Sequence, residues 1–570
     1  MKSFPSIFLA LSSLVIAPAY AQVMGPFRSQ NHGFRGSGND VRTMTSHSQL
    51  NPGEAVGGPM PDVNVSGNGN GILHANEFGG VDIGAKVNAA AATCISRAPC
   101  HILVAPRAQY SFSTSIVFVP NETVECSRSG SIQNNGAGDS QALLHYRGDG
   151  IAVTLSQDST AASHWIGCDL LLDATAKTGI LMPGYGGYVV DAALRGGGPA
   201  TTLIHVSGTP AENIHIHGNS TEDNHIERSR LGNFTGVGVA IDHANDTYLT
   251  ELTVYGKASD NATSVSLLVN DNASGIIIDN FAGGSSGLHG LWIRHSMGGS
   301  YPKFLFANNF ETDLASSDGW LFDSTLGSSN LDATFLNSWS AGNGGAGVHI
   351  AGGTGIHIGG GSKIRCNRRD GILIDGHSQL GITVEDSFIL GNNQSNSPNL
   401  SGIRIANHPG PVTIIGNQIG NYPESGGHQK YALLTESEVE GLIFSNNSCW
   451  HNDVACADIS SVARSKITYS GNMAEDQGPL PNYFPGSLTA GAFAGENIPI
   501  VSSFTTTAKA RETVKLRGMT AAGHCQLTPT NAGAASGIAS VYVSAKKSNE
   551  ITVSHKPTAG WTFDVACTPN

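Results

Sequence analysis

Two acidic side chains set two residues apart raise the first question of chemistry in this chain. In Asn308-Asn309-Phe310-Glu311-Thr312-Asp313, Glu311 and Asp313 share a face if the segment is a regular strand. Asp318 follows nearby. Paired carboxylates are what glycoside hydrolysis needs, one as general acid and the other as base or nucleophile. They are equally what a Ca²⁺ site needs in a polysaccharide lyase. Small residues, Ala282 before and Ser340 after, stand at the equivalent positions of neighbouring repeats and leave room for a cleft. The plainer reading is an acidic turn facing water. Glu311 and Asp313 are the candidate catalytic pair.

Arg294 and Asp323 are candidates for substrate contact. They fall one repeat apart at an outward position that runs Asp242, Asn270, Arg294, Asp323, Ala351, Asp375, Ala406. Their plain reading is a surface ion pair, which contributes little. Ser362-Lys363-Ile364-Arg365-Cys366-Asn367-Arg368-Arg369-Asp370 is the most basic local stretch of the repeat region. Lys363 and Arg365 are assigned to substrate contact there, against the ordinary reading of a solvated turn. Elimination next to a uronate needs a base and a cation to neutralise the carboxylate. His295, Lys303, Arg368 and Arg369 are further cations of that kind. His215 and His217 are spaced to share a strand face, with His225 or His243 as a third metal ligand. Ordinary exposed histidines are the better reading, and no metal site is assigned. There is no P-loop, nucleophile elbow or dinucleotide fingerprint.

The element that must position these groups shows best from Gly345 to Gly376. Short runs alternate apolar and polar residues, and Gly, Asn or Asp breaks them. Gly347-Val348-His349-Ile350 returns as Gly371-Ile372-Leu373-Ile374, an offset of 371 − 347 = 24. One ladder of strand starts reads Ile276, Phe304, Leu331, Ile356, Ile382, Val412, Leu442, Ile467. A second reads Val239, Leu267, Leu291, Trp320, Val348, Ile372, Ile403. The offsets run from 24 to 31 residues. Two interleaved ladders without long amphipathic segments imply a parallel β-helix, whose inward side chains form the core and whose outer faces carry any site. Asn309, Asn337, Asn392 and Asn417 suit turns and ladders between coils.

Bulk properties agree with many short strands. Charged residues are 13%, hydrophobic residues 39%, and there are 72 glycines among 570 residues. A net charge of −13 argues against nucleic acid as partner. Residues 1–21 read as a secretory signal peptide of bacterial type, cut after Ala21, so a secreted or periplasmic location is expected. No later run has the length of a membrane span. Residues 22–75 read as an extended or partly disordered leader, 76–475 as the β-helix, 476–497 as a Pro-marked linker and 498–570 as a small β-domain. Nine cysteines in an exported chain imply disulfides and one leftover thiol. Short separations suggest Cys94–Cys100 and Cys449–Cys456; Cys525 and Cys567 stand alone in the C-terminal region and make a third pair, and Cys126 with Cys168 is the candidate fourth, leaving Cys366.

Asp82 suits the cap of a helix from Ile83 to about Ser96, with strands at His101–Val104, Tyr110–Phe112 and Ile116–Val119. With its Asp82-Ile83-Gly84-Ala85, the passage from 79 to 125 resembles the start of the pectate-lyase-like superfamily, in its rhamnogalacturonase-type and tailspike-like branch. The resemblance implies an all-β fold: a right-handed, single-stranded parallel β-helix (solenoid) with an N-terminal capping helix, here followed by a small C-terminal β-domain. It implies a polysaccharide partner and a glycan-cleaving enzyme, a glycoside hydrolase or a polysaccharide lyase, with Ca²⁺ as cofactor in the lyase case. It allows a monomer or a homotrimer. The hydrolase branch carries N-T-D, D-D, G-H-G and R-x-K motifs; Leu288-His289-Gly290 and Lys363-Ile364-Arg365 are only echoes, so no catalytic residue carries over. The alternative is a non-catalytic glycan-binding or adhesin-like solenoid.

Overall fold

The computed structural model describes residues 72–568 apart from a set of segments, of which 127–141, 209–220 and 480–499 are the longest. The expected signal peptide, most of the leader, His215 and His217 lie outside the described residues.

The chain winds into a parallel β-solenoid, and each coil lays strands on three faces. In one coil, Asn245–Gly256 bends across the first two faces and Val265–Val269 lies on the third. The third face is a sheet of thirteen strands in chain order. The bend between the first two faces has a local cause. Glu251, Asn280, Asn309 and Asn337 take positive φ there, between +50° and +56°. Asn reaches that region more readily than most residues, which explains its recurrence at this corner.

The inward residues of successive coils stack into one continuous core. On the third face the pairing is Val239, Leu267, Leu291, Trp320, Val348, Ile372, Ile403, residue for residue as expected. The first face needs correction: Ile276 pairs with Leu305 rather than Phe304, and Leu305 with Ala333 rather than Leu331. Phe304 and Asp332 both take positive φ, +55° in each case. The register holds at 29 residues through Phe304 and shifts between Asn330 and Ala333, around Asp332. From Ala333 the ladder runs through Ile356, Ile382, Val412, Leu442 and Ile467.

Buried amides bind coil to coil. Asn343 Nδ2 donates to Asn367 Oδ1 at 2.8 Å, Asn367 to Asn392 at 2.9 Å and Asn392 to Gln429 at 2.9 Å. A second ladder joins Asn417, Asn447 and Asn472 at 3.0 Å each. Each amide satisfies its neighbour, as buried polar groups must. The exposed Asn309 and Asn337 donate to Asn280 and Asn308.

The helix Ile83–Cys94 caps the first coils. Asp82 Oδ1 accepts from the Ala85 N–H at 2.9 Å, and its Oδ2 accepts from Ser113 and Thr114. A Cβ on Gly84 would run into the Thr114 carbonyl, so this position needs glycine. Disulfides join Cys94–Cys100, Cys126–Cys168, Cys449–Cys456 and Cys525–Cys567, and Cys366 is free. Parallel pairing ends at Met473 and Ala474. The C-terminal domain has two three-stranded antiparallel sheets around a core that includes Val514, Ile551, Val553, Phe563 and Val565. No described helix is long and apolar enough to cross a membrane.

Candidate functional site

Glu311 and Asp313 project from the second face, at the end of the strand Lys303–Asp313. Phe310 and Thr312 alternate with them and are fully buried, so the strand is regular here and both carboxyls are half-buried on the outer surface. On the preceding coil their register partners are Ala282 and Gly284, and before those Thr253 and Tyr255. On the following coil the partners are Trp339 and Ala341, then Lys363 and Arg365.

Ser340, expected to face outward beside the pair, instead follows Thr312 and is buried. The reason is coil length: 311 − 282 is 29 residues, whereas 339 − 311 is 28. A slip of one residue turns a side chain to the other face. The pair is therefore bordered by an indole.

Small residues separate the pair from an aromatic ring on one side: Ala282 and Gly284 stand beside it, and Tyr255 lies one coil beyond them. A Cβ on Gly284 would come within 2.6 Å of the Tyr255 ring, so glycine lets the ring lean toward Asp313. On the other side, Lys363 and Arg365 lie over the Trp339 ring, at 5.6 and 5.1 Å from its centroid.

The acidic pair holds protons more tightly than ordinary carboxyls. Burial and then the charge of Glu311 push Asp313 up to about 6, against the Leu314 N–H and the Arg365 charge. Burial raises Glu311 as well. Burial, and then the charges of Glu311 and Asp313, raise the Tyr255 hydroxyl. Adjacent carboxyls with raised proton affinity favour a state in which one is protonated and the other ionised.

The other candidates separate from this pair. Asp318 is buried and belongs elsewhere: its Oδ1 accepts from the Ala346 N–H at 2.8 Å and its Oδ2 meets His349 Nδ1 at 3.2 Å. His349 Nε2 also meets Asp375 at 2.9 Å. Arg294 and Asp323 are register partners on the third face, not the second. The Arg294 guanidinium donates to Asn270 at 2.9 Å and lies over Trp292, rather than pairing with Asp323. His225 stacks between Tyr188 and Tyr248, 4.5 Å from each ring. Among the described residues, no group of three or more His, Cys, Asp or Glu is placed to hold a metal ion.

Tyr255 and Trp339 are the site residues that sequence reasoning missed. Their signal was the register: the same outward columns, counted coil by coil, contain them.

No family model and no curated protein matches the sequence. Solved structures similar in architecture include the tailspike protein gp49 of Pseudomonas phage LKA1, at 10% identity and a TM-score of 0.46, covering 85% of this chain and 92% of that one. The tailspike of Escherichia coli bacteriophage HK620 is similar at 11% identity and a TM-score of 0.42, with 88% and 94% covered. The A-module of an Azotobacter vinelandii mannuronan C-5 epimerase is similar at 13% identity and a TM-score of 0.34, with 71% and 92% covered. At these values the likeness concerns the solenoid, and function rests on the site itself.

Proposed function

We propose that this protein hydrolyses a polysaccharide laid along the second face, with Asp313 as general acid and Glu311 as base or nucleophile. The observation that supports this is the half-buried pair on the outer surface between Tyr255 and Trp339, with Asp313 held near a pKa of about 6. Protonated Asp313 gives its proton to the leaving glycosidic oxygen. Ionised Glu311 activates water or attacks the anomeric carbon. Two residues along a strand separate the Cα atoms by about 6.6 Å, enough for a sugar linkage to lie across both carboxyls. Tyr255 and Trp339 supply ring faces for flanking sugars.

Lys363 and Arg365 favour a second reading, β-elimination of a uronate, in which the cations neutralise the carboxylate and Ca²⁺ assists. The reading without catalysis keeps this face as a glycan-binding surface. Purified full-length protein, Glu311→Gln and Asp313→Asn should be assayed against neutral and uronic polysaccharides for new reducing ends. Either substitution should lower the rate by roughly 10²–10⁴-fold. An unsaturated, ultraviolet-absorbing product that disappears with chelator would replace hydrolysis by elimination. No cleavage of any polymer, or undiminished cleavage by both variants, would defeat the enzymatic reading.

A further inference from the structure

The basic stretch after the site leads to a cavity that the carboxylate pair does not use. A depression of about 460 Å³ lies between the turns of successive coils, lined by Gly344, Arg368, Arg369, Ser395, Ser397 and Asn399 among others. It opens where the second-face strands end: Arg368 stands three residues beyond Arg365, and Gly344 three beyond Ala341. Ala341 and Arg365 continue the column of Asp313. Arg365 is thus two coils from Asp313, about 10 Å along the axis.

Both arginines are exposed, and among the described residues neither guanidinium has an ion-pair partner. The adjacent acid does not neutralise them. Asp370 is fully buried and committed to Arg404 at 3.0 Å. Arg369 reaches it only through charge, which acts to lower its pKa. The opposite wall is fastened to the arginine backbone. The Asn393 N–H donates to the Arg369 carbonyl at 2.7 Å and the Ser395 N–H to the Arg368 carbonyl at 3.1 Å. The Asn393 side chain closes the loop by accepting from the Ser397 N–H at 2.9 Å. Two exposed arginines without ion-pair partners among the described residues therefore line one cavity with Asn399 and with the hydroxyls of Ser395 and Ser397, which bond to each other at 3.0 Å, in a chain whose net charge is −13. Within an acidic protein, cations left unpaired in a formed cavity focus a local positive field.

We infer that the Arg368–Arg369 cavity is a subsite for an oxyanion substituent of the polymer, a uronate carboxylate or a sulfate ester, and hence that the substrate is an anionic polysaccharide. Guanidinium forks match such groups in bidentate geometry. This rests on the proposed use of the second face, because a chain lying over Glu311 and Asp313 reaches the cavity two coils on.

Binding should be measured with the full-length double variant Glu311→Gln/Asp313→Asn, so that no polymer is consumed. Titrations with a polyuronate, a sulfated dextran and plain dextran distinguish the source of the oxyanion. At low salt one or both acidic polymers should bind and plain dextran should bind at least tenfold more weakly, with affinity falling as salt is added. Adding Arg368→Ala and Arg369→Ala should weaken the acidic polymer by roughly ten- to a hundredfold. Arg368→Lys/Arg369→Lys should recover part of the loss. Equal binding of plain dextran, salt-independent affinity or an unchanged arginine variant would overturn the inference. It would leave the hydrolytic reading standing if Glu311 and Asp313 still govern cleavage. Conversely, acidic-polymer binding that needs the arginines, in a protein that cleaves nothing, would remove the hydrolytic reading alone.

Discussion

Asp313 and Arg365 occupy one outward column, two coils apart, with only Ala341 between them. Burial and Glu311 push the Asp313 carboxyl up, while the Arg365 charge draws it down, and the balance is about 6. If Asp313 is the acid, activity falls as pH rises through that value. Arg365→Ala removes the opposing charge and raises the carboxyl further. The alkaline limb of the pH–rate profile should then move upward by roughly one unit. A limb that stays fixed or moves down would show that Asp313 does not set it.

Trp339 is the register partner of Glu311 and carries Lys363 and Arg365 over its ring. It presents area to a sugar and no group for proton transfer. Trp339→Ala should raise KM by roughly three- to tenfold and leave kcat little changed. A collapse of kcat at unchanged KM would place the indole in transition-state chemistry instead.

The fold was legible because each coil must bury the same face. The third-face ladder could be counted to the residue: its strands are short, and an apolar residue marks each inward position from Val239 to Ile403. The first face slipped at Phe304, because Phe304, Leu305 and Phe306 are all apolar and Leu305 is the one that faces in, and at Leu331, because the register shifts around the left-handed Asp332. Glu311 and Asp313 were visible because a spacing of two is intrinsic to one strand. Tyr255 lies at an even spacing, 313 − 284 = 284 − 255 = 29, and only its distance of two coils separates it from the pair; Trp339 was hidden because the coils after Glu311 are unequal. From Glu311 the following partners lie 339 − 311 = 28 and then 363 − 339 = 24 residues on. The union of Asp318 with His349, 31 residues away, was hidden for the same reason.

His349 bridges Asp318 and Asp375 across neighbouring coils. Burial alone would lower its pKa, but the bonds to both carboxylates win and raise it from 6.5 to about 9. A histidine raised in the folded state adds stability that is fully present below its unfolded value. That stability is lost as pH rises from about 6.5 through about 9. His349→Gln should cost on the order of 2 kcal/mol at pH 6. Melting curves of both proteins should converge by pH 10. A difference that persists unchanged at pH 10 would mean that the ring contributes by packing rather than by charge.

Glu122 gives the opposite slope. Its side chain is buried, one oxygen accepts from the Val119 N–H at 2.7 Å, and the other has no partner among the described residues. Burial raises its pKa from 4.5 to about 8, against the Val119 bond. Between these values the folded protein holds a proton that the unfolded chain has released. Stability therefore falls as pH rises from about 4.5 to about 8. Glu122→Gln supplies a permanently neutral side chain of the same shape and removes that slope. At pH 4 the two proteins should melt together, and at pH 8.5 the variant should be the more stable by about 5 kcal/mol. Denaturant titrations at the two pH values measure this, and a variant destabilised at pH 8.5 would show that Glu122 is folded as the carboxylate.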